Sequence, residues 1–221
     1  QESYTRHVKT YAKMFALTMQ NIVNDDMQAF ADIKTRIGRG SKKKLNKVAW
    51  TKWLAMIATF WTAARTNYIS GSTTTLLTDG VGLGLGLKAF RNMRSPAADG
   101  SKRVGAGASV GGTPSILLVG PTLEGAADKL FMGEKLNVGS SVGEDNIYRN
   151  KYRPVVSSFI EDTTLHASAT ATGWWLLRNP KDKPAIVLSF LDGQQTPTVE
   201  ESEADFNTLG IQFRGWHCFG A

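Results

Sequence analysis

Apolar and polar positions alternate loosely over "YTRHVKTYAKMFALTMQNIV" (residues 4–23), where Val8, Tyr11, Met14, Phe15, Leu17 and Met19 suggest an extended arm or sheet edge. The rhythm then becomes helical. Met27, Phe30 and Ala31 recur at the helical interval, and Asn24 or Asp25 supplies a cap with acids at the helix start. "GRGS" (38–41) interrupts or ends this helix, and a second helical pattern runs from about Lys42 to Ala64. Its stripe of Leu45, Val48, Ala49, Trp53, Met56, Ile57 and Phe60 is widened by Trp50, Leu54 and Trp61, so it calls for partners on two sides.

Further on, "TDGVGLGLGLKAF" (78–90) reads as a helix capped by Thr78 or Asp79, with Leu83, Leu87 and Phe90 on one face. Residues 94–114 are Gly-, Ala- and Ser-rich and read as a mobile loop outside the core. "SILLVG" is a buried strand, "TLEGAADKLF" a helix ended by Gly133, and "KYRPVVSSFI", "GWWLLRNP" and "AIVLSFLDG" are strands. "LGIQFRGWHCFG" alternates as a strand at the end. Helices dominate the first part and strands the second, which is the order of an α+β protein rather than of alternating βαβ units.

Charge adds a direction. The 221 residues carry a net +7. Residues 1–67 hold 12 Lys and Arg against 4 Asp and Glu, whereas the rest holds 14 against 15. Seven cations and no acid lie between 34 and 47: Lys34, Arg36, Arg39, Lys42, Lys43, Lys44 and Lys47. A basic block beside a near-neutral body fits either a polyanion held against one face or a solvated lysine-rich turn. The longest charge-free apolar run, residues 53–64, is shorter than the roughly 20 residues a membrane helix needs. No leader opens the chain, which begins at Gln1 as a processed or partial product would. The single cysteine, Cys218, excludes an internal disulfide and a cysteine-rich zinc site, and is compatible with a reducing cytoplasm.

Catalytic chemistry is hard to assemble from these residues. Gly84, Gly86 and Ala89 fit a relaxed dinucleotide pattern, but "STTTLLTD" before Gly80 is a poor buried strand. No acid stands about 20 residues on to bind a ribose. The glycines serve better as a groove: Gly82 and Gly86, four apart, let another backbone come close. His7, His166 and His217 share no metal-ligand spacing. His217 and Cys218 adjoin on a strand and so point to opposite faces. Asp25 and Asp26 suit a helix start; Glu161, Asp162 and "EESEAD" (200–205) read as solvated loop charge. No catalytic, cofactor-binding or metal-binding residue is therefore assigned. Of the adjacent Trp174 and Trp175, one faces the core and the other faces outward, as an interface residue or, in the alternative, into a local pocket within the monomer.

Three landmarks in order, "IVNDDMQAFADI", "PSILLVGPTLEGAADKLF" and "NPKDKPAIVLSFLDGQQTPTVE" followed by "LGIQFRGWHCFG", resemble the major capsid proteins of tailed bacteriophages, the Mu-like major head subunits most of all. The resemblance runs from about residue 4 to the end. It implies a phage major capsid fold of class α+β: an N-terminal arm or end of the E-loop (1–22), a peripheral-domain spine helix (23–68) bent or broken at Gly38–Gly40, an inserted axial domain (69–190), and a return strand of the peripheral sheet (191–221). Little chain precedes the spine helix, so a full E-loop and arm are not in this sequence.

The implied function is self-assembly into hexamers and pentamers of an icosahedral shell that packages double-stranded DNA. Portal, scaffold or decoration proteins are further partners, and the subunit is placed in the virion after assembly in the host cytoplasm. The seven cations would face DNA at the inner wall. Rival readings are an encapsulin-like compartment, a nucleotide-dependent enzyme using the Gly80–Gly86 run, and a free DNA-binding protein.

Overall fold

In the computed structural model, residues 7–18, 20, 27–95, 107–138, 141–203 and 210–221 are described. The chain forms two compact units: Gln1–Ala49 with Ile186–Ala221, and Trp50–Ala185. The expected cap at Asn24 or Asp25 and most of the loop at 94–114 lie outside the described residues.

In the first unit, strand β1 (Lys9–Thr18) pairs antiparallel with a long C-terminal strand, residues Gly210–Gly220, from Lys9 opposite Phe219 to Thr18 opposite Gly210. On its other side that strand pairs with Ser189–Phe190 and with Thr198–Glu203. Residues opposite one another in a sheet share a face. Tyr11, Phe15 and Leu17 therefore share a face with Ile211, Phe213, Gly215 and His217. Helix α1 (Met27–Ala55) packs on this face through Ile37. A side chain at position 215 would collide with Ile37, so Gly215 is the opening into which that residue fits.

α1 is unbroken, which corrects the expected interruption at Gly38–Gly40. Among the described residues, no atom outside the helix lies within 4 Å of where a Cβ would sit on either glycine. Each costs about 1 kcal/mol of helix propensity, and burial of Ile37 on one side and of Trp53 and Leu54 further on offsets it. The helix also stops earlier than expected. After Ala55 the chain tightens into a 3₁₀ turn (Met56–Ala58), where the Phe60 and Trp61 amides both donate to Met56 O. Trp61 is thereby brought back onto Trp53, ring centroids 4.6 Å apart.

The second unit is built on a three-stranded sheet. Strand β2 (Ile116–Val119) lies centrally, parallel to β5 (Arg153–Val156) and antiparallel to β6 (Trp174–Leu177). Between β2 and β5 comes a hairpin, β3 (Lys135–Val138) and β4 (Ser141–Asp145). Its only alternation, Leu136 and Val138 in β3, is too short to mark a strand, and sequence reading passes over it. Leu117 and Val119 share a face with Leu176 and Trp174. Helices α2 (Val81–Arg91) and α3 (Glu124–Met132) pack against this core through Leu83, Leu87, Ala127 and Leu130, together with Leu76, Leu123 and Leu136.

Asn146 holds the end of α3. Its side-chain amide donates to Leu130 O and Gly133 O, both at 2.8 Å, satisfying carbonyls that a helix end leaves open. On the other face of the sheet Trp175 meets Trp53 at 6.0 Å and Trp61 at 6.1 Å. This favours a local pocket within the chain and corrects the expectation that one tryptophan of the pair faces outward as an interface residue. Aromatic rings of its own chain cover it, and it is half-buried.

Two other expectations change. The apolar stretch "AIVLSFLDG" yields only the two-residue strand β7 (Ser189–Phe190), and a 3₁₀ turn with Asp192 at φ 52° ends it at once. "EESEAD" is not loop charge: residues 200–203 belong to strand β8 (Thr198–Glu203), which pairs with the C-terminal strand, now β9.

Candidate functional site

All seven cations of the basic block lie on α1, and the helix sorts them. Lys34 reaches Glu201 of β8 at 3.8 Å. Lys44 stands over the Tyr11 ring at 5.0 Å, and Tyr11 in turn stacks on Phe219. These two flank the face that packs on the sheet. Arg36, Arg39, Lys43 and Lys47 follow one another at intervals of three, four and four, which is a single row along a helix. All four are exposed, as is Lys42 beside them.

The row spans about 16 Å at the helical rise of 1.5 Å per residue. Arg39, Lys42, Lys43 and Lys47 have no ion-pair partner among the described residues. Like charges four apart on a helix oppose one another by about 0.2–0.5 kcal/mol per pair. The stretch 33–55 contains no acid to relieve them. The arrangement is a straight positive ridge that any polyanion would neutralise.

Ser41 faces the opposite way, and its hydroxyl lies 2.7 Å from His217 Nδ1. The other ring nitrogen, Nε2, lies 3.1 Å from the Gln194 carbonyl oxygen. A carbonyl only accepts, so Nε2 carries a proton and donates to it, and in the neutral imidazole Nδ1 accepts from Ser41. His217 is buried and stacks on Phe190. Its imidazole is a hydrogen-bonded bolt between α1 and the sheet. Cys218 points to the other face, where its sulfur meets Thr10 Oγ1 at 3.1 Å, so the two form no nucleophile–base pair. Among the described residues no cluster of His, Cys, Asp or Glu could hold a metal, and no helix is long and apolar enough to cross a membrane.

The acids of β8 are the contacts that sequence reading missed. Arg214 Nε donates to Glu200 Oε2 at 3.1 Å, and Nη2 bonds the same oxygen. This hydrogen bond first, and the guanidinium charge second, hold the Glu200 carboxyl below its ordinary range. A depressed carboxylate stabilises the fold above its ordinary range and loses that contribution as pH falls through the depressed value. The pair is solvent-exposed, so the effect on stability is small. Arg214→Gln is expected to move the Glu200 titration midpoint upward, as read by carboxyl NMR. An unmoved midpoint would remove Arg214 as the cause.

The glycine run is filled, not open. α2 begins after its N-cap, Gly80 (φ 75°), which makes no side-chain cap bond. This corrects the expected cap at Thr78 or Asp79, although Asp79, one residue earlier, still accepts the Val81 amide on Oδ1 at 3.0 Å. A Cβ on Gly82 would lie 2.9 Å from the Thr75 carbonyl carbon and closer still to its oxygen. On Gly86 it would lie 2.9 Å from Trp174 Cζ3, and on Gly84 2.8 Å from the Tyr148 hydroxyl. Trp174 donates its indole N–H to Thr74 O, which locks this packing. Protein atoms occupy the space a nucleotide would need.

A family model described as a phage capsid protein matches residues 2–221. Searches of curated proteins and of solved structures return no match.

Proposed function

The chain belongs to the phage capsid protein family, and from that premise we propose that it is a major head subunit of the Mu-like kind. It is a structural protein of the virion capsid and not an enzyme. In this reading it forms hexamers and pentamers of an icosahedral shell around double-stranded DNA, with portal and scaffold or decoration proteins as further partners. Stable contacts between copies would each bury about 1,000 Å² or more. The first unit, assembled from both ends of the chain, is read as the peripheral domain with α1 as its spine. The second unit, inserted between those ends, is read as the axial domain.

The observation that carries the DNA part is the row of exposed cations on α1 with no acid among them. Duplex DNA presents a charge about every 1.7 Å, so a 16 Å ridge can meet several phosphates without reading sequence. The triple variant Arg39→Gln, Lys43→Gln, Lys47→Gln is expected to form shells that retain less nucleic acid, measured by the 260/280 nm ratio of purified particles. Affinity of the unassembled subunit for free duplex should fall, and its log–log salt slope should shrink by about 3. Unchanged DNA content and slope would show that the ridge does not face DNA. Particles holding protein cargo in place of DNA would point to an encapsulin-like compartment.

A further inference from the structure

The glycine helix α2 is apolar on both sides. Leu83 and Leu87 are buried in the core, yet Val81 and Leu85, four apart on the opposite side, are 46% and 37% exposed. A helix hydrophobic all round is ordinarily covered all round. Beyond the two apolar residues the same ridge continues to Lys88, with Arg91 in the last turn, both exposed.

Helix α3 carries the converse pattern. Glu124, Asp128 and Met132 stand at intervals of four on its solvent side, which is again one ridge. Met132 is 66% exposed. At Gly125, beside this ridge, a Cβ would meet nothing within 4 Å among the described residues. Neither Lys88 nor Arg91, nor Glu124 nor Asp128, has an ion-pair partner among the described residues. Helix macrodipoles account for the sign of the charges at each end, basic at the end of α2 and acidic at the start of α3. They leave Lys88, Arg91 and Glu124 exposed and Asp128 half-exposed.

Along the chain, α2 runs from apolar to basic and α3 from acidic to apolar. The two ridges therefore match when the helices lie antiparallel. Val81 and Leu85 then meet Met132, and Lys88 meets Asp128 and Glu124. Ridges of i, i+4 spacing interlock in the commonest helix-packing class. Antiparallel helices also set the negative end of one dipole beside the positive end of the other. Both helices pack on one side of the same sheet within the second unit, and both present these ridges to solvent. A second copy of the chain can supply the complement.

We propose that the α2 ridge of one subunit docks on the α3 ridge of the next copy, in a head-to-tail contact that closes the capsomer ring. This rests on the shell reading above and adds which surfaces meet. A head-to-tail contact uses different surfaces on the two partners and generates a ring, whereas an α2-to-α2 contact would stop at a dimer.

Cysteine pairing tests the geometry directly, since native Cys218 is buried. Subunits bearing Val81→Cys and subunits bearing Met132→Cys are assembled separately and as a mixture, then oxidised and run on a non-reducing gel. The expected result is a covalent dimer only in the mixture, and a ladder up to the capsomer size when both substitutions share one chain. A dimer from Val81→Cys alone, or no crosslink within normally formed shells, would overturn the proposal. Charge reversal gives a second reading. Lys88→Glu and Asp128→Lys should each raise the concentration needed for assembly about tenfold, and the two together in one chain should restore it. Circular dichroism of the subunits checks that these surface variants fold. Wild-type shells with unaffected variants would remove this contact alone. Wild-type chains that never assemble would remove the shell reading and this contact with it.

Discussion

Phe219→Ala is expected to lose about 3–5 kcal/mol of stability in the first unit, the range for deleting a buried aromatic ring. Phe219 is fully buried. It stacks on Tyr11 at 4.6 Å and meets the His217 ring edge-on at 5.0 Å. It stands opposite both Lys9 of β1 and Phe190 of β7, so three strands of the sheet converge on it. Its loss would open a cavity under the Lys44–Tyr11 contact and loosen the seat of α1. Total domain stabilities of about 5–15 kcal/mol leave little reserve against such a change. Urea unfolding followed by near-ultraviolet circular dichroism measures it. A loss below about 1 kcal/mol would mean that Phe219 does not anchor the sheet.

Gly82→Ala should be the second large effect, and its sign discriminates between two accounts. Helix propensity alone predicts that alanine gains about 1 kcal/mol at an interior glycine. The structure predicts a net loss of about 1–3 kcal/mol, the usual cost of overpacking, because the new methyl would overlap the Thr75 carbonyl. That carbonyl belongs to backbone and cannot swing aside as a side chain tip can. Gly86→Ala meets Trp174, which is held by its bond to Thr74, and should behave alike. Gly40→Ala on α1 is the control, with open space around it, and should gain up to about 1 kcal/mol. Stabilisation by all three substitutions would show that the glycine helix is not closely packed.

The parts of the fold that could be read from sequence are those with strong local patterns. "SILLVG" and "GWWLLRNP" are short apolar runs bounded by breakers, and they became β2 and β6. The alternation of Ile211, Phe213 and Gly215 marked β9, and the spacing of Leu83 and Leu87 marked α2. What escaped was decided at a distance. Glu200 and Glu201 look like solvated loop residues until Arg214 and Lys34 are known to stand beside them. The hairpin β3–β4 shows only the brief alternation of Leu136 and Val138, too short to mark a strand by itself. Gly38 and Gly40 resemble a helix break, yet the penalty at each is small beside the burial that α1 gains on the sheet.

The basic block shows the same division. Its seven cations were visible as a count. Their sorting into two that serve the fold and a separate exposed row depends on α1 being continuous, since a break at Gly38–Gly40 would part Arg36 from Lys43 and Lys47. The glycine groove was legible in spacing, but not its occupants, Thr75 and Trp174. The outward tryptophan was misplaced because Trp61 returns over it from a turn that the longer expected helix would not have contained.

Electron microscopy of the purified full chain after assembly tests the central claim most directly. The account predicts closed shells of uniform diameter, with hexameric and pentameric capsomers resolved in averaged images. A sample that stays monomeric or dimeric across concentration and salt, with no closed particles, would contradict it.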